Sequence, residues 1–313
     1  MTTAPAAQDK NNTDLKARAQ EIATLIWYDK VDEAIKKFRD ASNDDRYAIL
    51  MDRDACVLHL AAGCNSVDAI TAMLAGLSLD QRLAAITAVN TEGYTPLHRA
   101  AQNGPADAIT AMLDGLSADR RLAVITAVDT NGYTPLDVAA AFDRVGAITA
   151  MLAGLNVAQC RDALFNEQHG VAIKLAQRYA ADPQDINAQG RLNTLIKGVS
   201  ALETSDGTDE QGLSENDKKG LITGILQEMG KRNLDAEIPS AAAEYLACSK
   251  YKTVGDCLQG LQGSFAQAAT TTTAVPTNTP EATIGNAGGY RCPVKRGFDG
   301  NPVSRRNYPG CDR

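Results

Sequence analysis

Apolar residues recur along the first half of the chain at intervals of three and four, with polar residues between them. Leu97, Ala100 and Ala101 fall on one face of a helix, and Ile109 and Met112 repeat the spacing a few residues later. A half-buried strand would instead alternate apolar and polar positions. The pattern therefore predicts pairs of short amphipathic helices, each of which buries one face.

The same pattern occurs three times without a gap. The copies read CVLHLAAGCNSVDAITAMLAGL from Cys56, TPLHRAAQNGPADAITAMLDGL from Thr95 and TPLDVAAAFDRVGAITAMLAGL from Thr134, and their starts are 39 residues apart. A unit of this kind buries its apolar faces against its neighbours, so the copies stack and the ends of the stack differ from its middle. The sequence therefore predicts a helical solenoid.

Two kinds of residue mark where the first helix of each copy begins and ends. Pro96 and Pro135 stand where a first helical turn has a spare N–H, so each can begin a helix. Asn65, Gly104 and Asp143 follow the first helix at the same position of each copy. Because these residue types tolerate left-handed backbone, they predict the turn that leads into a second, antiparallel helix.

A short third helix is predicted after the second one. Ser78 with Gln81 has the pattern of a capping box, and Ser117 is a favourable N-cap at the equivalent position of the next copy. We expect these third helices to run through about Ala88 and Ala127 before the chain turns into the next copy. They would enlarge one face of the stack.

The first helix carries a motif that resembles that of a known family. Thr95–Ala100 reads T-P-L-H-R-A, similar to the T-P-L-H-x-A signature of the ankyrin repeat. Thr134–Ala139 matches it with Asp137 in place of the histidine, and Leu58–Ala62 keeps L-H-x-A-A. The resemblance covers roughly residues 15–180 and implies an all-α, ankyrin-type solenoid. The family period is about 33 residues, and the lengthened 39-residue repeat is similar to those of ankyrin proteins from intracellular bacteria.

Four segments are predicted along the chain. Residues 1–13 are expected to be disordered, and residues 14–182 to form the solenoid, with an N-terminal cap and a fourth, degenerate copy around Ile173–Ala176. Residues 183–268 lack the repeat pattern and predict a small helical region. Residues 269–313, rich in Thr, Pro and Gly, predict a linker and a disordered basic tail.

Composition agrees with an all-α fold and narrows the choice of ligand. Hydrophobic residues make up 44% of the chain and aromatic residues 5%, which suits close-packed helices better than a β-sandwich. The net charge is −7, divided into +4 for residues 286–313 and −11 for the remainder, so nucleic acid is not the expected ligand. No leader peptide and no membrane span are expected. We expect a monomer whose partner is another protein or peptide.

No residue pattern suggests a cofactor, a metal or a reaction. The seven cysteines lack paired CxxC spacing, and Cys292 and Cys311 are the pair expected to be able to form a disulfide. His59 and His98 share one repeat position, where an imidazole usually ties the turn to the neighbouring backbone. His169 has no Cys–His pairing beside it, and no nucleophile or phosphate-loop motif occurs. We therefore expect no enzyme activity, no cofactor and no metal.

An alternative hypothesis is an unrecognised enzyme activity in residues 183–268, with the repeats positioning a substrate protein. The Asp/Glu-rich run in that region is its only support, and an exposed loop explains the run more simply. A structure of the region without a pocket of convergent polar groups would dispose of this alternative.

The family resemblance implies a concave groove lined by the turns that project between copies and by the first helices. Carried over position by position, the expected protein-binding residues are Arg53, Leu60, Glu92, Arg99, Gln102, Asn103, Asn131, Val138 and Phe142. We therefore predict a protein–protein interaction scaffold. It would act in the cytoplasm, or as a bacterial effector delivered into a host cell by a non-classical secretion route.

Overall fold

A computed structural model of the chain describes residues 5–90, 92–103, 106–182, 185–204 and 212–265. Within these ranges every regular element is an α-helix, as the composition and periodicity predict. In chain order the helices are α1 Pro5–Trp27, α2 Val31–Arg39, α3 Asn43–Leu50, α4 Val57–Gly63, α5 Val67–Leu74, α6 Leu79–Thr87, α7 Pro96–Asn103, α8 Ala106–Leu113, α9 Ala118–Ile125, α10 Pro135–Ala141, α11 Val145–Leu152, α12 Val157–Phe165, α13 Val171–Ala181, α14 Ile186–Ser200, α15 Glu215–Gly230, α16 Ser240–Tyr245 and α17 Val254–Phe265.

The three tandem copies form three-helix units, α4–α6, α7–α9 and α10–α12. First helices pack on first helices, so α7 lies between α4 and α10, and second helices pack on second helices, so α8 lies between α5 and α11. Leu97, Ala100 and Ala101 are fully buried in this stack. Because alanine is small, the first helices can approach closely, which is the packing that the repeat pattern predicts.

The predicted helix boundaries of each copy are confirmed where the structure describes them. α7 begins at Pro96 and α10 at Pro135. Asn65 and Asp143 adopt left-handed backbone, with φ of 62° and 56°, and reverse the chain between the first and second helices. Gly104, expected to do the same in the middle copy, lies outside the described residues.

The predicted third helices are also present. The Ser78 hydroxyl accepts a hydrogen bond from the Gln81 amide, and the Gln81 side chain accepts one from the Ser78 amide, which completes the capping box at the start of α6. The Ser117 hydroxyl accepts a hydrogen bond from the Arg120 amide at the start of α9. The additional residues of the 39-residue copies therefore form a third helix that has its own N-cap.

The N-terminal cap differs from its prediction at its beginning. α1 to α3 form another three-helix unit, in which α1 packs on α4, α2 on α5 and α3 on α6. α1 begins at Pro5, so the chain is helical over most of residues 1–13, where disorder is expected. Proline is favourable in a first helical turn, and Ala6, Ala7, Gln8 and Lys10 are good helix formers.

The solenoid does not end at residue 182. α14 packs against α11 just as α11 packs against α8, so α14 occupies the place of a further second helix. The Thr149 hydroxyl of α11 donates a hydrogen bond to the Gly198 carbonyl of α14 at 3.1 Å. The described residues, from 5 to 265, all fall in one compact unit, so the boundary predicted at 182/183 does not separate two domains.

The close approach of α14 to α11 gives a test of this stacking. A Cβ atom added at Gly198 would clash with Cγ2 of Ile148, so we expect Gly198→Ala to lower the free energy of unfolding by about 1–3 kcal/mol through overpacking. Gly190→Ala, on the same helix, is the matched control because nothing lies within 4 Å of its added Cβ. Urea unfolding of both variants is the measurement, and equal stability would mean that α14 is not packed on α11.

Two further findings concern the rest of the chain. The predicted linker and basic tail at 269–313, with Cys292 and Cys311, lie outside the described residues. Among the helices that the structure does describe, none is long and apolar enough to cross a membrane.

Candidate functional site

The turns that project between copies are held by a short polar side chain at their base. The Asn90 side-chain oxygen accepts hydrogen bonds from the amides of Glu92 and Tyr94, at 3.0 and 2.9 Å. One copy later, 39 residues on, Asp129 does the same for the next turn, accepting from the amides of Asn131 and Tyr133 at 2.8 Å each. The two turns are therefore built alike and have a defined shape.

Neighbouring turns also bind each other. The Thr130 hydroxyl donates a hydrogen bond to the Glu92 carbonyl at 2.9 Å. Gly93 has a φ of 76°, and a Cβ atom there would lie 2.8 Å from the Thr130 backbone nitrogen. Glycine is therefore required at this position both for its backbone conformation and for the approach of the next turn.

The two repeat histidines link each first helix to the turn that follows it, as their shared repeat position predicts. His98 Nδ1 accepts a hydrogen bond from the Thr95 amide at 3.2 Å, and its Nε2 donates to the Tyr133 carbonyl at 3.0 Å. His59 Nε2 donates in the same way to the Tyr94 carbonyl at 2.9 Å. Burial lowers the pKa of His59 to about 4 and also lowers that of His98, so both imidazoles are neutral connectors at neutral pH.

This burial predicts a pH dependence of stability. The folded-state pKa of His59 is about 4, below its ordinary 6.5, so the unfolded chain binds the extra proton and stability falls as the pH drops from 6.5 towards 4. Between pH 8 and pH 5 we expect His59 to account for a loss of about 2 kcal/mol.

The measurement is urea unfolding at both pH values, with His59→Gln as the comparison. The glutamine amide keeps a donor for Tyr94 but does not titrate, so this variant should lose about 2 kcal/mol less than the unchanged protein. An identical loss in both proteins would show that His59 is not the group that titrates.

In the third copy Asp137 stands at the histidine position, and it forms an ion pair with Lys174 of the degenerate fourth copy. Lys174 Nζ of α13 lies 2.7 Å from Asp137 Oδ2 and donates a second hydrogen bond to the Gly132 carbonyl at 2.6 Å. Asp137 Oδ2 also accepts from the Thr134 amide at 2.8 Å and from the Thr134 hydroxyl at 3.0 Å, so this buried oxygen has three donors. This pair joins the last tandem copy to α13, the first helix of the degenerate fourth copy.

Three of the predicted binding residues meet in one cluster. Arg99 Nη2 lies 3.3 Å from Glu92 Oε2, and Nη1 donates to Gln102 Oε1 at 3.4 Å. The Arg99 guanidinium carbon is 5.1 Å from the centre of the Tyr94 ring, a cation–π distance. Arg144 Nε donates to the Gln102 carbonyl at 3.1 Å. The turn before α7 and α7 itself therefore together form a surface of charged and aromatic side chains.

The other predicted residues are placed singly. Phe142 is the C-cap residue of α10, and 37% of its surface is exposed although its side chain is large and apolar. Asn103, Asn131 and Arg53 are exposed, and Leu60 is half-buried against the core. Among the described residues, no side-chain hydrogen bond or ion pair joins these five to the Arg99 cluster.

The prediction for Val138 is wrong. It occupies the position of Arg99 in the next copy, but only 5% of it is exposed and it belongs to the buried core. The physical reason is length, because an arginine stem carries its charged end out to water whereas a short apolar side chain at the same position stays inside. Val138 therefore contributes to packing and not to the groove.

The sequence analysis missed an arginine that extends the cluster. The fourth copy is aligned by Ile173–Ala176 with Leu136–Ala139, and this register gives Arg178 the position of Gln102 in the second copy. Its guanidinium carbon lies 5.5 Å from the centre of the Tyr133 ring, as that of Arg99 does over Tyr94. The sequence does contain this equivalence. It is seen only when the fourth copy is aligned two residues closer to the third than the 39-residue period would place it.

Comparison with known proteins agrees with this geometry. Residues 58–159, from α4 into α12, match the family model described as ankyrin repeats, in three copies. The three tandem copies are therefore ankyrin repeats, and the all-α, ankyrin-type solenoid predicted from the sequence is confirmed. No curated protein and no solved structure gives a significant match to the chain.

Proposed function

We propose that this chain, whose residues 58–159 are ankyrin repeats, takes a segment of another protein into the groove formed by its projecting turns and first helices. Ankyrin repeats generally serve protein–protein interaction. The observation that carries the proposal is the cluster of Arg99, Glu92 and Gln102 over Tyr94, with an exposed Phe142 one copy further on. In this proposal the chain acts by binding alone, as a scaffold without a chemical step.

The chemistry of the cluster suits a protein partner. Arginine and tyrosine are enriched among the residues that dominate binding energy, and an exposed aromatic side chain can anchor in a pocket of the partner. Glu92 and Gln102 hold the Arg99 guanidinium in place before a partner arrives. Little side-chain entropy is then lost on binding, which favours affinity.

Photo-crosslinking in the full chain tests the proposal and does not require the partner to be identified first. A photoreactive amino acid at Asn103 or Asn131, both exposed and both assigned to the groove by this proposal, should capture a partner protein from cells. The same group at Thr110 on α8 or Ala123 on α9, exposed on second and third helices, is the matched control and should capture none. Capture from the control positions alone would place the site outside the groove.

The location of the protein forms a separate part of the proposal. We infer from the lengthened repeat that the chain is a bacterial effector acting in a host cell. A translocation assay with a reporter fused to the full chain tests this inference. Reporter signal in host cells is expected, and signal confined to the bacterium would instead indicate a partner in the cytoplasm of the cell that makes the protein.

A further inference from the structure

The turns that join first helices to second helices share one backbone pattern, and the N-terminal cap has it too. Asp29, Asn65 and Asp143 have left-handed backbone, with φ of 61°, 62° and 56°. In each of these turns the following amide donates a hydrogen bond to the carbonyl five residues earlier, at 2.8 to 2.9 Å. The cap and the repeats therefore present equivalent residues along one edge of the stack.

Two aromatic side chains are exposed on this edge. Tyr28 and Phe142 directly precede Asp29 and Asp143, so they occupy the same position in the turns that follow α1 and α10. Tyr28 is 69% exposed and Phe142 is 37% exposed. Aromatic side chains contribute large contact areas to interfaces. Their recurrence at one position of the stack is an observation that core packing does not explain.

Three carboxylates lie on the same edge, one in the first turn of each of three successive second helices. Asp32 of α2, Asp68 of α5 and Asp107 of α8 are exposed, and α5 packs between α2 and α8. Within the ranges that the structure describes, none of the three forms an ion pair or a side-chain hydrogen bond. We call this surface the helix-turn edge, and it consists of Tyr28, Asp32, Asp68, Asp107 and Phe142.

The cations nearest in sequence to this edge are engaged by other groups. Lys30 Nζ lies 3.6 Å from Glu33 Oε1. Arg144 Nε donates a hydrogen bond to the Gln102 carbonyl at 3.1 Å. The carboxylates of the edge therefore keep their acceptor oxygens for a partner.

The third helices carry a similar row of carboxylates, but there the side chains have partners. Asp80 of α6 lies 3.9 Å from Arg120 Nη2, and Asp119 of α9 accepts a hydrogen bond from Gln159 Nε2 at 2.8 Å. A carboxylate in a first helical turn is favoured by the helix dipole wherever it occurs. What distinguishes the helix-turn edge is the combination of unpaired carboxylates with exposed aromatic rings.

We propose that the helix-turn edge binds an arginine-rich segment of the partner protein. The inference rests on the proposed function, because Phe142 belongs to both surfaces, and it specifies the chemistry of the partner. Arginine suits both kinds of group on this edge, since a guanidinium pairs with carboxylates and stacks on aromatic rings. The chain makes the same combination internally, where Arg99 pairs with Glu92 and lies over the Tyr94 ring.

Charge also favours a basic occupant over an acidic one. Outside residues 286–313 the chain carries a net charge of −11, so its general field attracts a basic segment and repels an acidic one. The local carboxylates then decide where the segment lies.

The interval between the carboxylates sets the interval between the arginines. Packed helices lie about 8–10 Å apart, so the aspartates of α2, α5 and α8 recur at about that distance. An extended chain advances about 3.3 Å per residue. Every third residue of an extended segment therefore meets the next carboxylate, and we expect arginine at every third position.

Fluorescence anisotropy with the full chain and labelled peptides tests the proposal. The probes are twelve-residue peptides of serine and arginine: a spaced peptide with arginine at every third position, a clustered peptide with the same four arginines in succession, and a neutral peptide with glutamine for arginine. We expect the spaced peptide to bind at least about tenfold more tightly than the neutral peptide and at least about threefold more tightly than the clustered one. Its affinity should fall between about 50 and 300 mM salt.

Two triple variants locate the effect. The edge variant removes three charges from second helices and should abolish the preference for the spaced peptide; its changes are Asp32→Asn, Asp68→Asn and Asp107→Asn. The matched control removes the same charge from the first turns of third helices and should keep the preference; its changes are Asp44→Asn, Asp80→Asn and Asp119→Asn.

Three results would overturn the inference. The first is a spaced peptide that binds no more tightly than the clustered or the neutral one, and the second is an equal loss in both triple variants. The third is a dimer of the free chain that the edge variant dissociates, since it would assign the edge to a second copy. Capture of a partner at Asn103 and Asn131 in any of these cases would leave the groove proposal standing and refute only the arginine-rich segment.

Discussion

Ala100→Asp is expected to unfold the repeat array. Ala100 is fully buried on α7, which packs against α4 on one side and α10 on the other. A carboxylate placed there is removed from water into the hydrophobic core, between helices that alanine allows to pack closely, so it costs both desolvation and steric strain. We expect a loss of about 3–5 kcal/mol, a large part of the stability of a typical domain. Ala139→Asp, equally buried one copy later, should behave in the same way.

The measurement is circular dichroism with thermal and urea unfolding. Ala123→Asp is the matched control because Ala123 is exposed on α9, and its cost should stay within that of helix propensity, below about 1 kcal/mol. If Ala100→Asp retains the helicity and the melting temperature of the unchanged protein, the buried interfaces between the first helices are assigned wrongly.

Loss of partner binding is expected from a combined change in the groove: Arg99→Gln, Gln102→Ala and Phe142→Ala. Gln replaces Arg99 because the Glu92 carboxylate lies 3.3 Å from the guanidinium, and a second carboxylate there would add repulsion unrelated to binding. The change removes the cation, its orienting amide and the exposed aromatic side chain. We expect it to weaken binding of a crosslinked partner by about 2 kcal/mol or more, roughly thirtyfold, with the fold intact.

A control variant with the same types of substitution lies on other helices. Arg161→Gln on α12, Gln227→Ala on α15 and Leu79→Ala on α6 are all exposed and outside the first helices. This variant should bind the partner with unchanged affinity. Titration calorimetry, with circular dichroism as the check on folding, distinguishes the two proteins. Unchanged affinity in the groove variant would place the binding surface on another face.

The central fold could be predicted from the sequence because its signals repeat. Pro96 and Pro135, the Ser78–Gln81 capping box and the left-handed turn at Asn65 each act within a few residues, so local chemistry is enough to place them. The role of the repeat histidines followed from their shared position as well. The same local signals occur in successive copies, so the repeat and its helix boundaries can be recognised from the sequence.

What could not be predicted depends on contacts between distant segments. α14 lacks the repeat pattern, and its place beside α11 depends on the fit of Gly198 against Ile148, which no local periodicity records. The Lys174–Asp137 pair replaces a histidine by a contact from another copy. Val138 shows why binding residues cannot be assigned from repeat position alone. Two side chains of different length at equivalent backbone positions can differ in exposure.

Hydrogen–deuterium exchange of the full chain, free and bound to the crosslinked partner, tests the central claim most directly. The claim is that the partner lies across the projecting turns and the first helices. It predicts slower exchange on binding in residues 88–95 and 127–134 and in α7 and α10, with exchange in α8 and α9 unchanged. Slower exchange confined to α8, α9 or the other second and third helices would contradict it.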